Sequence, residues 1–439
     1  MRIVLFLLCV LLLAVPAAAQ DVTSTPDPST GTGAETAAPS IEVSDQFVFN
    51  GILSLARVVS EGPGFVAIHV DLEGTPGPLV GIAPVQAGTN ENVLMLIDTT
   101  GAKPNLMAVL HADDTTIGVF EHTMNPAADL PVGGDPMATA APFRINALTV
   151  YQQQIQDNVL TVASVIMETA GWVAVYGDEG GQPGAESLGQ IAVSAGTTPA
   201  VMIPVTLPEG AGSLFAVLHT DDGQVGTFES GQVEGADAPI NMNGIMALLP
   251  VILSSTPTVL TASGTPIGDG TTVPSMTVGE QALMGAAGAE LTEGSPIAEL
   301  TIDSVSSPFA GWIDVHADGG GHPSKSLGMT PVAQGENSAV VVTLNPNMQP
   351  VPPFEVTPIV WPMLHIDDAN PGVYDYLMIP FADLPIVVNG RVLTVPVSIT
   401  GGDLVTGMDG MMSGEATMEG TPADDPTGGE ATPESTPAG

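Results

Sequence analysis

The feature that most constrains this chain is that it repeats itself three times. Gly64-Phe65-Val66-Ala67-Ile68-His69 recurs as Gly171-Trp172-Val173-Ala174-Val175-Tyr176 and as Gly311-Trp312-Ile313-Asp314-Val315-His316. Gly81, Val85 and Gly88 return as Gly189, Val193 and Gly196, then as Gly328, Val332 and Gly335. Leu110-His111-Ala112-Asp113-Asp114 matches Leu218-His219-Thr220-Asp221-Asp222 and Leu364-His365-Ile366-Asp367-Asp368. Asp129 with Pro131, Asp237 with Pro239, and Asp383 with Pro385 close the units, and Gln46, Gln153 and Gln281 stand near their starts. The spacing is far longer than the ~20–45 residues of a solenoid repeat, so the copies are tandem domains.

Within each unit the period is that of a strand. Val66, Ile68 and Val70 alternate onto one face, as do Val173 and Val175, and Ile313 and Val315. In the first unit strand-like runs fall near 43–49, 52–60, 65–71, 79–86, 92–98, 105–112, 116–121 and 143–150. They are separated by Gly, Pro, Asn and Asp, and no capping signal opens an amphipathic helical run. Seven or eight strands in roughly 110 residues is the arithmetic of an immunoglobulin-like two-sheet sandwich. The expected fold is therefore all-β, with three tandem Ig-like antiparallel β-sandwich domains and disordered linkers and tail.

The flanking segments read differently. Arg2, the apolar run Ile3–Val15, Pro16 and Ala17-Ala18-Ala19 form an export signal over residues 1–19, with cleavage before Gln20. Cys9 is the only cysteine and lies inside that run, so the exported chain has no disulfide, no thiolate metal site and no Cys nucleophile. No later apolar run is long enough to span a membrane. Residues 20–40 and 254–275 are Thr/Ser/Pro/Gly-rich and read as linkers, and 401–439 as an acidic disordered tail. The domains then fall at 41–150, 151–253 and 276–400. Residues 41–150 hold one full set of strands and are expected to fold alone. Lys and Arg number 6 against 48 Asp and Glu, a net charge of −42, which excludes nucleic acid as a partner.

As a set, the Gly-Trp-Val strand, the Leu-His-x-Asp-Asp segment and the Asp-x-Pro step resemble an uncharacterised domain of unknown function. That domain occurs, often in tandem, in exported and cell-surface proteins of archaea and bacteria. The resemblance covers roughly 41–150, 151–253 and 276–398. It implies extracellular β-sandwich modules and supplies no catalytic residues. Phe65 departs from the usual Trp, and Tyr176 from the usual His.

Four sets of residues could carry chemistry. Asp113, Asp114 and Glu121, with Asp221, Asp222 and Glu229, and Asp367, Asp368 and Asp375, cluster around Gly118, Gly226 and Gly372. Clustered carboxylates suit Ca²⁺, although the spacing is not that of an EF-hand. The plainer reading is a β-hairpin, with Asp221-Asp222-Gly223 as the turn and Val225 to Glu229 as the return strand. His111 and Asp113, two apart on a strand, share a face, as do His219 with Asp221 and His365 with Asp367; a structural His–Asp hydrogen bond is expected there. Trp172 and Trp312 read as buried sandwich tryptophans, with a sugar-stacking platform as the alternative. Met408, Met411, Met412 and Met418 in the tail could attract a soft metal. The functional expectation is a non-enzymatic secreted or cell-surface structural or interaction protein. Its partner would be an extracellular protein or glycan. A Ca²⁺-binding module and a carbohydrate-binding accessory chain are the alternatives.

Overall fold

The structure is a computed structural model, and it describes residues 38–268, 272–285, 298–344 and 358–400. The expectations for the export signal, for most of the first linker, for the tail and for its methionines lie outside the described residues. Among these residues the chain is strand and loop, with one short 3₁₀ turn at Pro136–Ala138.

Repeat 1 contains β1 (Ser40–Glu42), β2 (Gln46–Phe49), β3 (Ile52–Ser60), β4 (Gly64–Asp71), β5 (Pro76–Val85), β6 (Gly88–Leu96), β7 (Asn105–Ala112) and β8 (Ala141–Thr149). In one sheet β3 lies between β1 and β6; in the other the order is β5, β4, β7, β8. Strand β2 runs parallel to β8 and touches β3, joining the two sheets at one edge.

Repeat 2 contains β9 (Val159–Met167), β10 (Gly171–Asp178), β11 (Pro183–Val193), β12 (Gly196–Pro204), β13 (Ser213–Thr220), the small hairpin β14 (Asn241–Met242) and β15 (Ile245–Met246), and β16 (Leu248–Ile252). Its sheets are β9–β12 and β11–β10–β13–β16.

Repeat 3 contains β17 (Val259–Thr261), β18 (Ser275–Thr277), β19 (Gln281–Ala282), β20 (Ala298–Ser307), β21 (Gly311–Asp318), β22 (Pro323–Val332), β23 (Gly335–Leu344), β24 (Ile359–Ile366), β25 (Ile386–Val388), β26 (Arg391–Val392) and β27 (Val397–Thr400). Its sheets are β18–β20–β23 and β22–β21–β24–β27–β19, with β17–β25–β26 beside them.

The repeated residues are the ones this sandwich needs. Val66, Ile68 and Val70 pack between the sheets against Leu53, Leu55 and Met95. Gly64, Gly171 and Gly311 lie across from the histidine strand. A Cβ on any of them would stand 2.3 Å from the carbonyl oxygen of His111, His219 or His365, so no other residue fits. Gly189 and Gly328 face the backbone of the opposite sheet in the same way, with a Cβ 2.0 Å from the Pro204 or Thr343 oxygen. Gln153 acts as an extra rung: Nε2 donates to Thr161 O at 2.7 Å and Oε1 accepts from Thr161 N at 2.8 Å. Gln46 does the same with Ser54, and Gln281 with Thr301.

Two expectations fail locally. Residues 116–121 and 225–229 are loop, so the Asp-Asp segments are not hairpin turns. The stretch 254–275 is not a plain linker: its residues Val259–Thr261 form buried β17, paired with β25. The repeats also share structure. Strand β8 pairs with β9 through Ala147↔Ile166, Leu148↔Val165 and Thr149↔Ser164. Tyr151, Ala163, Leu260, Met363, Val387 and Val392 form a small core where repeat 2 meets repeat 3. Phe120 N donates to Met378 O at 2.8 Å, joining repeats 1 and 3.

Candidate metal centre

The acidic segments close a loop around one buried carboxylate per repeat. Asp129, Asp237 and Asp383 have no exposed surface, and all three hold a left-handed backbone with φ near +45°. In repeat 2, Asp237 Oδ1 accepts from Asp222 N at 2.9 Å and Oδ2 from Glu229 N at 2.6 Å. In return Asp237 N donates to Asp222 Oδ1 at 2.5 Å. The same three bonds join Asp129 to Asp114 and Glu121, and Asp383 to Asp368 and Asp375. The first acid of each pair, Asp113, Asp221 or Asp367, accepts from the amide of Gly118, Gly226 or Gly372. Glu229 accepts from Gln224 N, and Glu121 from Thr116 N and the hydroxyls of Thr115 and Thr116, which hold its carboxyl below the usual range. Asp375 accepts from Asn370 Nδ2. A buried acceptor that bonds two amides fixes this path in place of a return strand.

The expected His–Asp side-chain pair is replaced by a backbone bond. His111, His219 and His365 each donate from Nδ1 to the carbonyl of that buried aspartate, Asp129, Asp237 or Asp383, at 2.7 Å. Each histidine stands opposite the Phe or Trp of the neighbouring strand: Phe65↔His111, Trp172↔His219, Trp312↔His365. These rings lie on the outer face of the sheet and not between the sheets. The loop after the histidine strand covers them, with Phe120, Phe228 or Tyr374 packed on the ring. Trp172 and Trp312 are therefore buried, 9% and 8% exposed, which removes the sugar-platform geometry. Trp172 Nε1 donates to Asp221 Oδ1 at 3.3 Å; with Phe65 in that place, Asp113 Oδ1 is buried without a partner.

A second ring lies beside each histidine, and here the copies diverge. In repeat 2 the Tyr176 hydroxyl meets His219 Nε2 at 3.1 Å. In repeat 1 His69 fills that place, with Nδ1 bonded to Gly77 O, and His122 packs on His111 from the loop. In repeat 3 the partner is His316, and Asp314 joins it where the other copies have Ala67 and Ala174. Asp314, His316 and His365 are all buried, and one ligand atom from each lies within 4.8 Å of the others. His316 Nδ1 is 2.7 Å from Ser324 O, and His316 Nε2 is 3.4 Å from Asp314 Oδ2. Ser326 Oγ and Tyr374 OH each donate to the Asp314 carboxylate at 2.6 Å.

The model of the family described as "Domain of unknown function (DUF7282)" matches residues 39–144, 146–249 and 291–400. The chain belongs to the DUF7282 family. No curated protein matches it. Domains 3 and 4 of rat CD4 are similar over 40% of this chain and 92% of that one, at 11% identity and a TM-score of 0.19. The first two Ig domains of DIP-gamma are similar over 49% of this chain and 96% of that one, at 9% identity and a TM-score of 0.15. Immunoglobulin domains 1–5 of Sidekick-1 are similar over 83% of this chain and 59% of that one, at 12% identity and a TM-score of 0.14. It is the strand pairing that makes each DUF7282 copy a two-sheet sandwich.

Against the other two DUF7282 copies, the third has an unusual electrostatic site. Burial raises the Asp314 carboxyl above its ordinary value, opposed by His316 and by the bonds from Ser326 and Tyr374. Burial also lowers His365 to about 3 and Lys325, close by, to about 7. The site opens onto a cavity of about 460 Å³ lined by Trp312, Asp314, His316, Lys325 and Tyr374, with Met124 of repeat 1 across from them. This cluster was not singled out from the sequence. Its signal was the acid at 314, on a core strand where both sister copies have alanine.

Proposed function

We propose that this chain is an exported, non-enzymatic structural or interaction protein, built of three DUF7282 sandwiches and meeting an extracellular protein or glycan. The observation that carries the reading is the use made of the recurrent polar groups. In all three copies the acids and histidine that repeat are bonded to backbone amides and carbonyls of their own loop. Groups engaged in this way stabilise a loop and offer little to a substrate. Export is supported by Arg2, the Ile3–Val15 run and the small residues before Gln20. Among the described residues no helix is long and apolar enough to cross a membrane.

Two variants test this reading, and the second separates it from the alternative that the same acids hold Ca²⁺. Asp237→Ala removes a buried acceptor shared by two backbone amides, and should cost about 2–4 kcal/mol, lowering the melting temperature by ~10 °C or more. Asp221→Asn with Asp222→Asn keeps an acceptor oxygen at each position and should melt within a few degrees of the parent. Calcium should add no more than an equal ionic strength of Mg²⁺ salt, because screening of a chain of charge −42 is generic. A calcium-specific rise in the parent that disappears in the Asn variant would replace the structural reading with the cation-site reading.

A further inference from the structure

We propose that Asp314, His316 and His365, in the third repeat, form a binding site for one divalent transition ion of the zinc or copper type. Proton counting fixes the state of both imidazoles. His316 Nδ1 lies 2.7 Å from the Ser324 carbonyl, and His365 Nδ1 lies 2.7 Å from the Asp383 carbonyl. A carbonyl only accepts, so each Nδ1 carries the ring proton and each neutral ring presents a bare Nε2. Both Nε2 atoms are buried and neither has a hydrogen-bond donor. The third group facing them is the Asp314 carboxylate, itself an acceptor. Three buried acceptors therefore converge, and the hydroxyls of Ser326 and Tyr374 serve only the carboxylate, so both imidazole Nε2 lone pairs are left without a partner, an arrangement that a cation would satisfy.

Repeat 2 shows what the fold does when no cation is required. There the Tyr176 hydroxyl meets His219 Nε2 at 3.1 Å, and position 174 is alanine. Repeat 3 has exchanged the hydroxyl for a second imidazole and the alanine for a carboxylate. The first change replaces a satisfied hydroxyl contact with a ligand atom, and the second puts a ligand atom where a methyl group stood.

The donor set chooses the ion. Two imidazole nitrogens with one carboxylate oxygen suit Zn²⁺, Cu²⁺, Ni²⁺ or Co²⁺, whereas Ca²⁺ and Mg²⁺ want oxygen throughout. The surrounding bonds are of the kind that orients ligands: each imidazole Nδ1–H is held by a backbone carbonyl, and the carboxylate by Ser326 and Tyr374. Three protein ligands leave a further coordination position, and the 460 Å³ cavity borders two of the three ligand residues. A small anion or water is the class of ligand that position would take.

The test is titration of the whole chain with Zn²⁺ in excess Mg²⁺, which occupies the weak acidic surface sites, followed by Co²⁺ absorption and Cu²⁺ electron paramagnetic resonance. One equivalent of Zn²⁺ should bind tightly, Co²⁺ should give visible bands, and the Cu²⁺ signal should show two imidazole nitrogens. Two variants restore the arrangement of the sister copies: Asp314→Ala and His316→Tyr. Each should weaken Zn²⁺ binding at least tenfold, because each removes a ligand. His316→Tyr reproduces a contact that already folds in repeat 2, so it remains informative if Asp314→Ala is poorly folded. Absence of a tight equivalent in the parent would mean that the cluster shares a proton and not a metal. Unchanged affinity in His316→Tyr would place the ion elsewhere; either result overturns the proposal.

Discussion

His111 is buried as a neutral base, and that choice has a cost that depends on pH. Desolvation, the largest influence, together with His122 and His69, lowers it to about 3, while its bond to Asp129 O acts in the other direction. In the unfolded chain it titrates near 6.5. Above that value neither state binds the proton and the full native stability is present. Between about 6.5 and 3 the unfolded state binds it and the native state does not, so stability falls as pH falls. His69, lowered to about 4 chiefly by burial, adds to the same loss. For His111 alone the limit is about 5 kcal/mol, an upper estimate because local opening would let in water. Melting followed from pH 7 to pH 4 should therefore drop steeply. Replacing His69 by Tyr, the solution of repeat 2, should make the drop shallower. An unchanged pH profile in that variant would show that His69 is not buried as a neutral ring. The sequence displayed these histidines and their neighbouring acids. It could not display their partners, since a bond from His111 to a carbonyl eighteen residues later depends on the path of the intervening loop.

At the scale of the element, glycine placement decides more than hydrophobic alternation. The alternation of Val66, Ile68 and Val70 was enough to find β4 and its counterparts, because a period of two has one meaning on a half-buried strand. Ile117 and Val119 carried the same signal and are loop, held there by the amide of Glu121 bonding Asp129. A long-range carboxylate overrides a local pattern that strand propensity favours. The recurrent Gly of the Gly-Trp step was visible as a repeat, and its reason lies in strand spacing. Gly171→Ala would press a methyl against the His219 carbonyl at 2.3 Å and against the Met167 side chain at 2.6 Å. The backbones of β10 and β13 must separate to admit it, which should cost about 3 kcal/mol or more. Gly177→Ala, on the same strand, meets only Leu188 Cδ1 at 3.8 Å and should be close to neutral. Thermal melts of the two variants side by side would decide this: equal melting temperatures would mean that β10 and β13 are farther apart than described.

At the scale of the whole molecule, three copies of one domain share apolar residues across their boundaries. Nothing in the repeat pattern announces this, because Phe47, Phe49, Leu148 and Tyr151 read as ordinary strand and core positions. In the folded chain Leu148 is fully buried in the core of repeat 2, with Phe47 and Phe49 against it. Ile166 of repeat 2 is buried in the core of repeat 1. Tyr151 reaches across to repeat 3, its hydroxyl donating to Ala262 O at 2.8 Å, and Asn389 clasps both backbone groups of Gln154. Arg144 adds an exposed pair of ion pairs to Asp45 and Glu168, which contribute little beside the apolar burial. The segment 38–150 therefore contains a complete set of strands yet not a complete cover for them. Exposing Leu148 alone gives up about 1.5–3 kcal/mol. At roughly 4–8 °C per kcal/mol for a domain of this size, the isolated segment should fold and melt at least ~6 °C below its transition in the intact chain. Leu148→Asp in the intact chain should lower the transitions of repeats 1 and 2 together. If the segment alone melts at the same temperature as within the chain, and Leu148→Asp disturbs one repeat only, the shared cores carry no coupling and the three sandwiches stand independently.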